Sequence, residues 1–191
     1  MKRVILFALV LFATTTNLKA QLKQSLKKVM EFKMPKTADD EMPGTRGASV
    51  AWHPVKKKYY AVMAGNTEYP LAVFDPAGKR VSNDELTAMN DTRGLWYNPV
   101  TKEINGNGFG ETGWFRYVLN KTGIPELAPI TLEGSNQPDG QCVGAFHPVR
   151  KEVLFLYGGV VSLYSVTDGI SSGSVKINWG KKKAGNASDG G

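Results

Sequence analysis

Cysteine is nearly missing from this chain: of 191 residues only Cys142 is one, so no disulfide can close within the chain and no cysteine stands near the start to carry a lipid. Histidine is as scarce, with His53 and His147 only, and a zinc centre built on three histidines is excluded. Cys142 precedes an apolar stretch and has no base beside it that would make it a thiolate nucleophile; it reads as a small buried residue. Long apolar runs are missing as well. The longest, Val4 to Ala13, has ten residues, against the roughly twenty that a membrane-crossing helix takes.

That run nevertheless has a place. Lys2 and Arg3 precede it, polar Thr14 to Asn17 follow, and Leu18-Lys19-Ala20 leads into Gln21, which is the layout of a secretory signal peptide cleaved after a small residue. Residues 1–20 are expected to be removed and the rest to be exported, periplasmic or extracellular, with no membrane span in the mature form. Removal takes away Lys2, Arg3 and Lys19 and no acid, so the formal charge falls from +7 to +4. The remaining basic runs, at Lys23, Lys27 and Lys28, at Lys56 to Lys58 and at Lys181 to Lys183, lie far apart in expected loops. Nucleic-acid binders gather such charge along one face to neutralise phosphates, so no nucleic-acid partner is expected.

What the chain does have is an internal repeat. Val50-Ala51-Trp52-His53-Pro54-Val55-Lys56, Leu95-Trp96-Tyr97-Asn98-Pro99-Val100-Thr101 and Gly144-Ala145-Phe146-His147-Pro148-Val149-Arg150 share a pattern, with their prolines 45 and 49 residues apart. Proline breaks a central strand but suits the turn of a hairpin. A second strand candidate follows each turn, at Tyr59 to Ala64, Glu103 to Asn107 and Val153 to Tyr157, and then a third, at Leu71 to Phe74, Trp114 to Leu119 and Val160 to Val166. The third strands end in Asp75-Pro76-Ala77-Gly78, Asn120-Lys121-Thr122-Gly123 and Thr167-Asp168-Gly169, all turn chemistry. A fourth strand is expected at Lys79 to Ser82, Leu127 to Leu132 and Val175 to Trp179, the last alternating Val175, Ile177 and Trp179 with Lys176 and Asn178.

Four short strands repeated about every 45 residues are the signature of β-propeller blades. The expected fold is therefore all-β and propeller-like: three four-stranded blades at about 44–90, 91–138 and 139–185, with small residues in the inner strands where blades crowd a channel. Trp52, Tyr97 and Phe146 take one repeat position and are expected to be buried in equivalent sites between sheets. Within 21–43, Met30, Phe32 and Met34 alternate with Glu31 and Lys33, the pattern of a strand with one apolar face, placed to close the ring by completing a last blade. Asn186-Ala187-Ser188-Asp189-Gly190 repeats the approach Asn136-Gln137-Pro138-Asp139-Gly140 that leads into the third unit; a fourth unit is expected to begin there, so that the ring in 44–191 is incomplete. A three-sheet or sandwich protein with accidental periodicity is the other fold compatible with the pattern.

The His-Pro-Val-Lys and Asn-Pro-Val-Thr-Lys turns, each followed by an apolar strand and then a Phe-Asp-Pro-Ala-Gly-Lys or Leu-Asn-Lys-Thr-Gly turn, resemble the repeats of NHL-type and YVTN-type propellers over about residues 28–180. The resemblance implies blade geometry and carries no chemistry, since such families include protein-binding scaffolds, carbohydrate binders and lactone hydrolases. It also implies that loops joining second to third strands, and those leading into the next inner strand, meet around a channel mouth. Those loops hold Asn66, Glu68 and Tyr69, then Asn105, Asn107, Glu111 and Trp114, and Arg46, Asp91 and Arg93, a mixture suited to a protein, peptide or carbohydrate ligand. A lactonase-like hydrolase would place side-chain oxygens, such as those of Glu68, Asp91, Asn107 and Glu111, around a channel Ca2+. Otherwise no cofactor is evident, and a non-catalytic binding or scaffold role is the first expectation.

Two local patterns are weaker than they look. Gly108-Phe109-Gly110-Glu111-Thr112-Gly113 matches the dinucleotide fingerprint in letters, but Trp114-Phe115-Arg116-Tyr117 after it is strand-like where a helix is required. His53 and His147 sit at one turn position with Asn98 between them, so they fall on different repeats and have a role in the turn. For the export signal, N-terminal sequencing of secreted protein is expected to start at Gln21, and retention of Met1 would refute it.

Overall fold

A computed structural model of the chain describes residues 27–35 and 43–178. The expected signal peptide, Trp179 and the Asn186 to Gly190 approach lie outside the described residues. The elements are β1 (Ala48–His53), β2 (Lys58–Met63), β3 (Ala72–Phe74), β4 (Thr92–Asn98), β5 (Glu103–Gly108), a 3-10 turn at Gly110–Thr112, β6 (Trp114–Tyr117), β7 (Ile130–Thr131), β8 (Ala145–His147), β9 (Glu152–Tyr157), β10 (Val160–Ser165) and β11 (Ser171–Lys176). They form three antiparallel sheets, ordered β1-β2-β3, β4-β5-β6-β7 and β8-β9-β10-β11, and no α-helix occurs among the described residues. None of the sheets closes on itself. The fold is all-β, and no helix among the described residues is long and apolar enough to cross a membrane.

Strand alternation explains how the sheets stack. In β2, Tyr60 and Val62 face the second sheet while Tyr59 and Ala61 face away, because successive side chains leave a strand on opposite faces. The first interface holds Ala51, Tyr60, Val62, Leu71 and Val73 against Leu95, Ile104, Phe115 and Tyr117. The second holds Trp96 and Trp114 against Val153, Phe155 and Tyr164. Each large side chain fully buried there contributes about 1.5–3 kcal/mol. Trp114 anchors the second interface, its ring 5.1 Å from that of Trp96 and 5.9 Å from that of Phe155.

Inner edge strands lie side by side: β4 contacts both β1 and β8. The approach is closest at Gly94, where a Cβ would lie 2.7 Å from Gly144 N, so glycine at this inner-strand position is required by backbone contact. Leu95 N donates to the Ser49 hydroxyl at 2.8 Å, tying β4 to β1.

The repeated turn is equally regular. Lys57, Lys102 and Lys151, each three residues after the turn proline, have φ of 50°, 60° and 55°, a left-handed conformation uncommon for a residue other than glycine. The His/Asn position supports this turn and latches it to the next sheet. Asn98 Oδ1 accepts from Val100 N at 2.9 Å while its Nδ2 donates to Val166 O at 3.1 Å, across the second interface. His53 Nδ1 accepts from Lys56 N at 3.2 Å, which leaves the proton on Nε2 to be donated to Lys102 O at 3.0 Å. His147 makes the local bond alone, Nδ1 accepting from Arg150 N at 3.3 Å.

The structure corrects four expectations. The first sheet has three strands, and the fourth candidate at Lys79 to Ser82 contributes only an isolated bridge between Phe74 and Arg80. The cause is local: the Ser82 hydroxyl, not a backbone carbonyl, accepts from Val73 N at 3.0 Å, so the ladder stops. In the third sheet the fourth strand is Ser171–Lys176 rather than Val175 to Trp179, because the turn closes early with Gly169 N on Ser165 O at 2.9 Å. Residues 29–34 do not form a strand, because the segment lies over the outer face of the first sheet, Phe32 and Met34 covering Ala61, Ala72 and Phe74, and does not pair along an edge. Finally, Tyr97 and Phe146 pack on the inter-sheet cores, but Trp52 is 37% exposed and lies against Tyr59. Its position faces the preceding sheet in each repeat, and among the described residues no sheet lies beside the first on that side.

Burial lowers the pKa of His53 from its usual 6.5, with the charge of Lys56 adding and the Lys102 carbonyl opposing. Below that value the unfolded chain takes up a proton that the folded one resists, so this contribution to stability is full above pH 6.5 and is lost on acidification. Scanning fluorimetry from pH 7.5 to 5 at fixed salt is expected to show a smaller fall in melting temperature for His53→Asn, the side chain used at Asn98, than for the wild type. Parallel curves would refute the neutral latch.

Candidate functional site

One end of the three sheets is a continuous rim of loops, stitched by named bonds. Arg46 N donates to Ala64 O at 3.1 Å, Gly65 N to Asp91 Oδ1 at 2.7 Å, Phe109 N to Asp91 O at 2.8 Å and Gln137 Nε2 to Gly108 O at 3.1 Å. The segment entering β1, the β2–β3 loop, the start of β4, the β5–β6 loop and the segment entering β8 thus join in sequence. Gly108–Gly113 is a hairpin connection containing the 3-10 turn, with Gly108 N on Gly113 O at 2.9 Å; it opens no helix and provides no dinucleotide site.

The sequence-derived site residues divide into three groups. Arg46, Glu68 and Glu111 are exposed on the rim, and Asn66 is half-buried there, its Oδ1 accepting from Glu68 N at 3.0 Å. Asp91, Arg93 and Asn107 hold the rim together from beneath. Asp91 Oδ2 pairs with buried Arg93 at 3.0 Å, and the Arg93 guanidinium lies 4.8 Å from the centre of the Phe109 ring. Asn107 is fully buried: Nδ2 donates to Cys142 O at 2.7 Å and to Gln137 Oε1 at 3.1 Å, and Oδ1 accepts from Gly144 N at 3.0 Å. Tyr69, Asn105 and Trp114 are not part of the rim surface. Tyr69 is buried with its hydroxyl on Pro35 O at 2.5 Å, and burial raises its pKa. Asn105 and Trp114 are buried in the second sheet, where Asn105 Oδ1 and Trp114 Nε1 have no hydrogen-bond partner.

Two rim residues escaped the sequence reading. Phe109, 44% exposed above Arg93, is an aromatic group of the rim; its flanking glycines mark a loop but do not tell which way the ring turns. Gln137 stitches the second unit to the third, and its only signal is its place in the approach to β8. The donor set expected for Ca2+ does not fit. Asn107 spends both ends of its carboxamide on the backbone and Gln137, Asp91 is held by Gly65 and Arg93, and the described residues contain no group of three or more His, Cys, Asp or Glu side chains that could hold a metal. Burial, with Asp139 adding, raises the thiol pKa of Cys142, which lies in the second interface.

The geometry defines a class: an all-β protein of three stacked antiparallel sheets with a pinned loop rim at one end. No protein-family model matches the chain, and no curated protein does. Among solved structures it is similar to the crystal structure of an auxiliary nutrient binding protein from Bacteroides thetaiotaomicron, at 17% identity and a TM-score of 0.43, over 66% of this chain and 30% of that one. The chain thus spans less than a third of the length of that structure.

Replacing Asn107 by Leu leaves the Gly144 N–H and the Cys142 carbonyl unpaired in the interior, at about 1–3 kcal/mol each. Urea unfolding of Asn107→Leu is expected to show a loss of about 2–6 kcal/mol, with Glu68→Gln and Glu111→Gln within about 0.5 kcal/mol of wild type. Equal effects for all three would refute the division into pinning and surface residues.

Proposed function

We propose that the chain is a run of consecutive blades of an exported β-propeller that acts as a binding or scaffold protein, its ligand a protein, peptide or carbohydrate contacted by the loop rim. One observation carries this reading: half-buried Asp91 and buried Arg93 and Asn107 immobilise the loops, while Arg46, Glu68, Glu111 and Phe109 remain exposed above them. Loops held in place before a ligand arrives lose less entropy when it binds. The propeller part of the reading is supported by the repeated left-handed turn, the adjacent inner strands β1, β4 and β8, and the order of strands outward from them. The outer face of the third sheet supports it too. Leu156 and Val175 are 55% and 58% exposed there, on a face with Leu154 and Val161 that a further blade would cover. Export rests on residues 1–20, and the repeats resemble NHL-type and YVTN-type blades.

The test is a pair of glycan and peptide arrays probed with wild-type protein and with a variant carrying Arg46→Ala, Glu68→Ala, Phe109→Ala and Glu111→Ala. Ligands retained by the wild type are expected to be lost by the folded variant. Hydrolysis of lactone substrates that depends on added Ca2+ would overturn the binding reading.

A further inference from the structure

The end of the stack opposite the rim is made by the three repeated turns. Leu95 N on the Ser49 hydroxyl, and Gly94 against Gly144, hold β1, β4 and β8 side by side in nearly equal register, so the turns that follow them, at 54–57, 99–102 and 148–151, emerge together. They are also joined directly. His53 Nε2 donates to Lys102 O at 3.0 Å, Lys56 Nζ to Lys121 O at 3.1 Å, and Asn98 Nδ2 to Val166 O at 3.1 Å, while Val166 N donates to Lys151 O at 3.2 Å. Lysines that are far apart along the chain thereby share one surface.

Each turn shows solvent the same two groups. Val55, Val100 and Val149, directly after the turn prolines, are 66%, 51% and 85% exposed. Lys57, Lys102 and Lys151, two residues further on, are exposed beside them, and none of the ion pairs among the described residues uses these lysines. The acids that follow them, Glu103 and Glu152, are taken by Arg116 and Arg150. Single exposed apolar residues are ordinary, but valine is not turn chemistry, and here it recurs at one position in three adjoining turns. Nucleic acid would neutralise the lysines and leave the valines without a use, since strands are gripped through aromatic side chains on the bases. An anionic phospholipid surface takes both groups: its phosphates attract lysine, and the boundary between headgroups and acyl chains accepts short apolar side chains.

We propose that this turn face docks on an anionic phospholipid surface, with Val55, Val100 and Val149 entering the headgroup layer and Lys57, Lys102 and Lys151 lying against the lipid phosphates. The proposal does not depend on the rim or on ring closure. It is tested by co-sedimentation of the exported protein with vesicles of equimolar phosphatidylglycerol and phosphatidylcholine, and with vesicles of phosphatidylcholine alone. Binding is expected to the anionic vesicles and to fall with added salt. Changing the three lysines to Asn, a residue that tolerates the left-handed turn position, is expected to weaken it about a hundredfold, and changing the three valines to Ser about tenfold. Glu68→Gln with Glu111→Gln, at the far end, leaves it unchanged. If a triple variant does not fold, Val149→Ser with Lys151→Asn at the third turn alone decides, with a loss of about tenfold expected. Absence of binding to the anionic vesicles overturns the proposal, as does equal binding to the neutral ones or binding that the lysine variant retains. Binding lost with the lysines and kept without the valines also overturns it, and would make the face a site for polyanions in general.

Discussion

Both faces of the second sheet are apolar, and that constraint organises the molecule. Leu95, Ile104, Phe115 and Tyr117 occupy one side and Trp96 and Trp114 the other, so this sheet is stable only when a sheet covers each face. The first and third sheets do so, and the crowding of the inner strands follows from it. Glycine stands at position 94 because a side chain there would overlap the backbone of Gly144, and at position 144 because a Cβ there would press on the Trp96 ring. The latches of His53 and Asn98 belong to the same scheme, since each reaches from the end of its inner strand to a carbonyl on the next sheet.

The rim is a consequence of the stack. Once the sheets are face to face, the loops at one end are near enough for Asp91 to accept from Gly65 and for Asn107 to accept from Gly144. The polar groups that stitch these loops are removed from ligand contact by doing so, and the exposed set narrows to Arg46, Glu68, Phe109 and Glu111, with Asn66 at its edge. Trp114 turns toward the third sheet because Phe115, its neighbour in β6, turns toward the first.

Local information was enough to find the strands and turns. The x-Pro-Val-x-Lys pattern recurs in three places and yields one conformation, with Lys57, Lys102 and Lys151 all left-handed, and the first three strands of each unit begin and end within a few residues of their sequence limits. Outermost strands were read less well, because their pairing hangs on single side chains and on turn closure. Ser82 intercepts the Val73 N–H, and Gly169 ends the β10 turn early; neither event alters the periodicity of the sequence.

By itself the sequence determined an all-β chain with three repeats, small inner strands, a His/Asn turn position and a set of polar loop residues, since each of these depends on neighbours along the chain. Tertiary structure alone decided which of those residues are available for binding. Asn105, Asn107 and Trp114 have the same residue chemistry as ligand-contacting groups, yet they point into the stack, while Phe109 sits outside above Arg93. The reason is that exposure depends on the face a strand presents and on whether another sheet covers it. Trp52 and Tyr97 occupy the same repeat position, and among the described residues only Tyr97 has a preceding sheet to pack against.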